Sequence, residues 1–435
     1  MQISSYPGVY IQEISTLPPS VAPVATAIPA FLGYTTKGKK GEVEIEMVTT
    51  LLEFEDRFGL PPPTAFKASS EGAVEVLKSS LPEHMLWYAM SLYFRNGGGK
   101  CYVVSVDNTS EAASPARFKK GLEALEAVDE PTLIVMPGIV SLPKEDFHDL
   151  NQQSLAHCKK LQDRFAILDV QDGDVPAFRE GIGTEGLMYG AAYHPYLQTT
   201  INFVYAEDQV TIAGDNARTL KDIKTTDTLL YNKVKKNLDG QRVALPPSAA
   251  VAGVYARTDR DRGVWKAPAN TSVSAVIAPV TTITNAQQET LNVDPKAGKS
   301  INAIRAFSGK GTVVWGARTL DGNSNEWRYV NVRRLFITIE ESAKNASHFA
   351  VFEPNDATTW LKVKGMLDAY LFGLWEQGAL QGSKPEHAFQ VHVGLGKTMT
   401  PQDILEGRLI VELKIAAVRP AEFVVLRFEH KLAES

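Results

Sequence analysis

Cysteine is nearly missing from this chain of 435 residues, with Cys101 and Cys158 the two present. A disulfide framework is therefore excluded as the source of stability, and both thiols are expected free, serving as small buried hydrophobes. Long apolar runs are missing too. No window approaches the ~20 residues of a membrane helix, and the opening residues 1–10 have neither the basic start nor the apolar core of a secretory leader, so folding in a cytoplasm is expected. An excess of one charge sign is also lacking. Lysine and arginine number 45 against 50 acidic residues, a net charge of −5. The signs are interspersed, which leaves no basic field to track a nucleic-acid backbone. The composition that remains, 44% hydrophobic and 22% charged, is that of a globular fold and not of a disordered chain. The length implies two or three packing units.

Residues 100–170 read strand, helix, strand, helix, strand. The first strand is the valine-rich run 101–106, after the stop signal Asn96-Gly97-Gly98-Gly99. Phe118, Leu122 and Leu125 recur at helical spacing, and residues 133–136 and 165–168 supply buried strands. Together they predict a parallel α/β unit, preceded by an amphipathic helix marked by Leu86, Met90, Tyr93 and Phe94. The fold class is mixed α/β in several domains. Residues 21–198 and 245–300 are expected to form the main α/β domain, and polar residues 199–244 a surface insertion. Residues 301–407 read as a compact C-terminal domain. It holds one helix face of Val332, Leu335, Ile339 and Ala343 and another of Trp360, Val363, Leu367, Tyr370 and Leu374. Asn355 and Asp356 signpost the second helix's start and Gly378 its end. Phe389, Val391 and Val393 then alternate with polar neighbours as a strand.

The two ends differ. Residues 1–20 read as an arm, because Tyr6-Pro7-Gly8 and Leu17-Pro18-Pro19 forbid a helix and hold the chain extended, with Val9, Tyr10 and Ile11 between them. Residues 408–435 read as a second arm. Val411, Leu413 and Ile415 form one strand and, after Pro420, a second begins at Phe423 and includes Val425. Strands at chain ends carry unpaired N–H and C=O groups that a neighbouring copy can satisfy.

Patterns that carry chemistry fail their own tests. Gly394-Leu395-Gly396-Lys397-Thr398 suggests a phosphate loop, but the full spacing needs glycine at position 391, which is valine. Asp169, Asp172 and Asp174 follow a strand, yet aspartates beside Gly173 are first of all turn formers. Asp107 and Asp169, at strand ends, would be the first candidates for an enzyme on this fold. His148 and His157 share a helix without metal-ligand spacing, and no HExxH, CxxC or Gly-x-Ser-x-Gly pattern occurs. Residues 257–262, Arg-Thr-Asp-Arg-Asp-Arg, read as a charge-alternating surface loop. No catalytic, cofactor or metal site is expected.

Several blocks together resemble one family. They are Tyr6-Pro7-Gly8-Val9-Tyr10-Ile11-Gln12-Glu13, Ala30-Phe31-Leu32-Gly33, Leu245-Pro246-Pro247-Ser248 and the run from Ala252-Gly253-Val254-Tyr255 to Asn270. Trp315-Gly316-Ala317-Arg318, Tyr329-Val330-Asn331-Val332-Arg333-Arg334, Phe352-Glu353-Pro354-Asn355 and Pro420-Ala421-Glu422-Phe423 follow. In this order they resemble the contractile tail sheath proteins of bacteriophage tails, pyocins, type VI secretion and extracellular contractile injection systems. The likeness covers nearly the whole chain outside residues 199–244. It implies a structural subunit that polymerises as stacked hexameric rings around an inner tube and contracts to drive that tube through a target envelope. No cofactor is implied. The implied partners are further copies of the chain, the inner tube protein, baseplate and terminal cap proteins, and sister sheath proteins, in a phage tail or released tail-like particle. The terminal strands would be donated to neighbours. The segment Thr400-Pro401-Gln402-Asp403-Ile404-Leu405, a capped helix start, is the candidate tube contact through Gln402, Asp403 and Leu405.

Overall fold

A computed structural model describes residues 21–74, 82, 84–213 and 218–423 of the chain. They divide into two compact units, one of residues 24–339 with 418–423 and one of residues 21–23 with 340–417.

The first unit is built on a nine-stranded sheet. Its strands are β1 (Pro29–Thr35), β2 (Glu44–Val48), β3 (Cys101–Asn108), β4 (Leu133–Val135), β5 (Phe165–Asp169), β6 (Gly190–His194), β7 (Thr271–Ser272), β8 (Ile301–Phe307) and β9 (Gly311–Val314). In space they run β7-β9-β8-β6-β5-β4-β1-β3-β2. The six from β8 to β3 are parallel, and antiparallel pairs close both edges. Parallel strands need crossover connections and are covered on both faces, so their text is continuously apolar instead of alternating. In β1 all seven residues are buried, and that strand lies between β3 and β4. The strand–helix alternation over residues 100–170 is therefore present, but its first two strands are not neighbours.

Helices that dress this sheet include α1 (Leu86–Arg95), α2 (Pro115–Leu125), α3 (Lys144–Leu161) and α4 (Ser248–Arg262). Phe118, Leu122 and Leu125 form the buried face of α2, which packs on α3, while α1 packs on α4. After α1 the chain turns at Gly97, with φ 98°, and the Gly98 N–H returns to the Tyr93 carbonyl at 3.1 Å. The triple glycine is thus the helix stop its position suggested. Close approach of α1 and α4 depends on Gly253, where a Cβ would stand 2.6 Å from the Tyr93 carbonyl oxygen. Residues 257–262, expected as a loop, are instead the last turns of α4. Buried Val251, Val254, Tyr255 and Thr258 hold that helix in register, which carries Asp259 inward.

The polar segment 199–244 is not confined to the surface. The strand Leu197–Asn202 pairs with Arg242–Leu245 and with Val276–Pro279, so the segment's two ends are bonded to each other. Between them Val210–Ile212 pairs with Phe66–Ala68, and the helices Leu220–Thr226 and Thr228–Leu238 bury Leu220, Ile223, Val234 and Leu238. These apolar positions, spaced three and four apart among lysines and aspartates, are what the average polarity concealed. Residues 301–339, grouped in sequence with the C-terminal block, lie in the first unit.

In the second unit, α5 (Val330–Ala346) contributes residues from 340 onward, followed by α6 (Ala357–Glu376), β10 (Phe389–Val393), α7 (Pro401–Leu405) and β11 (Val411–Ile415). The Asp356 carboxylate accepts the Thr358 and Thr359 N–H groups at 3.0 Å each and starts α6. Gly378, φ 80°, follows its end, and Val363, Leu367 and Leu374 are buried along it, as their spacing predicts. Both cysteines are free and buried. Among the described residues no helix is long and apolar enough to cross a membrane.

Candidate functional site

The strand expected at residues 411–415 exists, and it has one partner inside the chain. β11 pairs antiparallel with β10 in the register Phe389↔Ile415, Val391↔Leu413 and Val393↔Val411. Alternation puts these three apolar pairs on one face, with Phe389, Val391 and Val393 buried and Val411, Leu413 and Ile415 half-buried. Among the described residues this sheet has two strands and no more. Each strand therefore presents an outer row of backbone donors and acceptors without a ladder partner, and a two-stranded ribbon is marginal on its own. Phe423 closes the described chain and is 72% exposed. Val9, Tyr10, Ile11 and Val425 lie outside the described residues.

Just before Phe423, in the first unit, the chain is clamped. Arg318 donates from Nε to Glu422 Oε1 at 2.9 Å and from Nη2 to Oε2 at 2.6 Å, a bidentate pair. Asn292 Nδ2 adds a bond to Oε1 at 2.8 Å and the Tyr329 hydroxyl one to Oε2 at 3.2 Å. Burial alone would raise the Glu422 carboxyl, but the hydrogen bonds from Arg318 and Asn292 outweigh it and hold the group below its ordinary value. A second buried pair stands nearby in sequence. Arg334 grips Asp259 through two bonds of 3.0 and 2.5 Å, donates to the Thr26 carbonyl at 2.8 Å, and lies 4.6 Å over the Tyr255 ring. Arg318, Arg334 and Glu422 stand inside the family-like blocks with no role evident from sequence, and Asp259 lies in the run expected as a surface loop. The signal available was charge standing inside apolar motifs.

The helix start at Thr400 is as expected. The Thr400 side chain and Asp403 form a reciprocal capping box, and Arg408 donates to Asp403 Oδ1 at 3.0 and 2.7 Å. Bonds from Thr400 first, and then from Arg408, push the Asp403 carboxyl down to about 2. Gln402 donates to Glu406 at 2.6 Å. Of the three residues named for tube contact, Gln402 and Leu405 are exposed, Leu405 at 82%, and Asp403 is half-buried.

The chemistry-bearing patterns resolve into structural roles. In the loop at Gly394 the N–H groups of Lys397, Thr398 and Met399 all return to the Gly394 carbonyl, so they do not converge on an anion. Asp174 caps the short helix Val175–Gly181 and pairs with Lys144 at 2.6 Å. Asp107 pairs with Arg117 at 2.8 Å and accepts the Gly41 N–H at 2.9 Å. Asp169 is fully buried and accepts the Ser248 N–H at 2.8 Å and hydroxyl at 2.5 Å at the start of α4. Burial pushes its carboxyl up to about 7 against those bonds. Among the described residues no group of three acidic, histidine or cysteine side chains could hold a metal.

Comparison with known proteins gives a consistent result. Residues 112–320 match the phage tail sheath protein central domain, and residues 323–431 the phage tail sheath C-terminal domain. The tail sheath protein of Vibrio phage KVP40 is 24% identical over 188 residues, 42% of this chain and 26% of that protein. The chain thus matches about a quarter of that curated relative's length. Among solved structures, a chain of the anti-feeding prophage baseplate agrees with a TM-score of 0.71 at 33% identity, over 99% of this chain and 100% of that one. A chain of the extracellular contractile injection system PVC sheath complex, in its contracted state, gives 0.70 at 31% identity, over 99% of each. On this full-length likeness, and on the two domain matches, the chain belongs to the contractile tail sheath family, whose members are structural proteins and not enzymes.

Proposed function

We propose that this chain polymerises as stacked hexameric rings around an inner tube and contracts to drive the tube through a target envelope. The observation that carries the reading is the ribbon of β10 and β11. It is a small sheet whose two edges are open among the described residues, in a chain whose residues 1–20 and 423–435 carry the text of donated strands. A neighbour's strand on either edge would extend the ladder by about five or six backbone bonds at roughly 1 kcal/mol net each. Val9, Tyr10 and Ile11 at one end, and Phe423 and Val425 at the other, are the donating positions. Val411, Leu413 and Ile415 belong to the ribbon that receives them.

Contraction on this reading is a passage between two packings of one sequence, the contracted one lower in free energy and the extended one trapped at assembly. It needs no nucleotide. The tube contact is assigned to the tip of α7 through Gln402, Asp403 and Leu405, Leu405 being the apolar one. Baseplate, cap and sister sheath proteins are the further partners, in a phage tail or a released tail-like particle. Electron microscopy of the purified chain tests the proposal. Tubes of stacked rings are expected, and a chain lacking residues 1–20 should lose ordered stacking. Monodisperse single chains at high concentration would overturn it.

A further inference from the structure

Phe352 combines two properties that its surroundings do not explain. Its backbone stands at φ 67°, the left-handed region that a bulky side chain enters only at a cost. Its side chain is fully exposed, and Val351 beside it is exposed as well. The turn that presents them is held firmly. The N–H groups of Val351 and Glu353 return to the carbonyls of His348 and Ala350 at 3.2 Å each. Asn355 accepts from Trp360 Nε1 at 2.7 Å and donates to the Arg408 carbonyl at 3.0 Å. A strained, preorganised aromatic with no packing of its own has the character of an interface anchor.

A groove of matching chemistry is present on the first unit, with a volume of about 820 Å³. Val293, Trp315, Ala317 and Phe423 supply apolar walls, and Lys266 and Arg305 stand among the lining residues. Glu422 also lines it, but its charge is taken up by Arg318. With Glu289 counted, the groove keeps a net positive charge, whereas the turn carrying Phe352 is acidic through Glu353 and Asp356.

We propose that Phe352 of one copy seats in this groove on a second copy, with Glu353 and Asp356 facing Lys266 and Arg305. Knob and groove are different patches, so the contact is heterologous and propagates from copy to copy instead of closing a two-fold dimer. This inference rests on the assembly reading above.

Phe352→Gly is the decisive variant, because it removes the ring and relieves the backbone at once. Its melting temperature should equal or exceed that of the wild type, while the concentration needed for polymerisation rises tenfold or more. In a second experiment Phe352→Cys is combined with Val293→Cys, and assembled tubes are treated with a short bis-maleimide. Cys101 and Cys158 are buried, so a ladder of covalent multimers is expected from the pair and none from either single variant. Polymerisation of Phe352→Gly at the wild-type concentration would overturn the pairing. So would the absence of a ladder, or linkage of position 352 to a different protein of the particle. A wild-type chain that stays monomeric would sink the assembly reading itself, and this pairing with it.

Discussion

Asp169 shows how much one side chain can weigh. Its carboxyl titrates at about 7 in the folded chain, against an ordinary 3.8. A raised value means that the folded chain binds this proton more tightly than the unfolded one. The stability it contributes is therefore complete below about pH 4 and is lost as pH climbs through 7. At full burial the difference is worth on the order of 4 kcal/mol. Asp169→Asn keeps an acceptor for the Ser248 N–H and removes the titration. Urea midpoints from pH 5 to 8 should show the wild type losing ground to the variant as pH rises, whereas parallel curves would refute the assignment. His157 and His194, pushed down to about 4 by burial, act in the opposite direction. Both are common to the two proteins and cancel in the comparison.

At the scale of elements, the same glycine substitution should have opposite signs in two helices. Gly253→Ala places a methyl 2.6 Å from the Tyr93 carbonyl oxygen where α1 meets α4, and a loss of about 1–3 kcal/mol is expected from the forced separation. Gly365→Ala, inside α6, meets nothing within 4 Å and should gain about 0.5–1 kcal/mol through helix propensity. Chemical denaturation of the unassembled chain reads both, and equal signs would contradict the packing described. Elements were also where the sequence was most legible. The helix of Val363, Leu367 and Leu374 came from its period and its caps, and β10 and β11 from their alternation. What stayed hidden depends on distant partners. Nothing local says that β1 enters between β3 and β4, that Asp259 turns inward to Arg334, or that Glu422 returns to a residue 104 positions earlier. The helical positions within residues 199–244 were legible one by one but were outvoted by the charges around them.

At the scale of the whole molecule, the bond between Arg318 and Glu422 ties residues 418–423 to the body of the first unit. Any pull on that segment from a neighbour would reach the body of the subunit at this point. Glu422→Gln leaves a nearly buried guanidinium facing a neutral amide, with a loss of about 1–3 kcal/mol expected. Assembled tubes of the variant should also come apart at lower urea than the wild type. If neither the single chain nor the tube responds, the clamp carries no load.

The ribbon's two edges, open among the described residues, set a valence. If each copy both offers strands and receives them, layers inside a stack satisfy every edge, while the outermost layer at each end retains vacancies that no further copy has filled. Growth would then continue until a protein bearing a compatible strand, but no edge of its own to extend, occupies those vacancies. On this view the length of the polymer is decided at its ends.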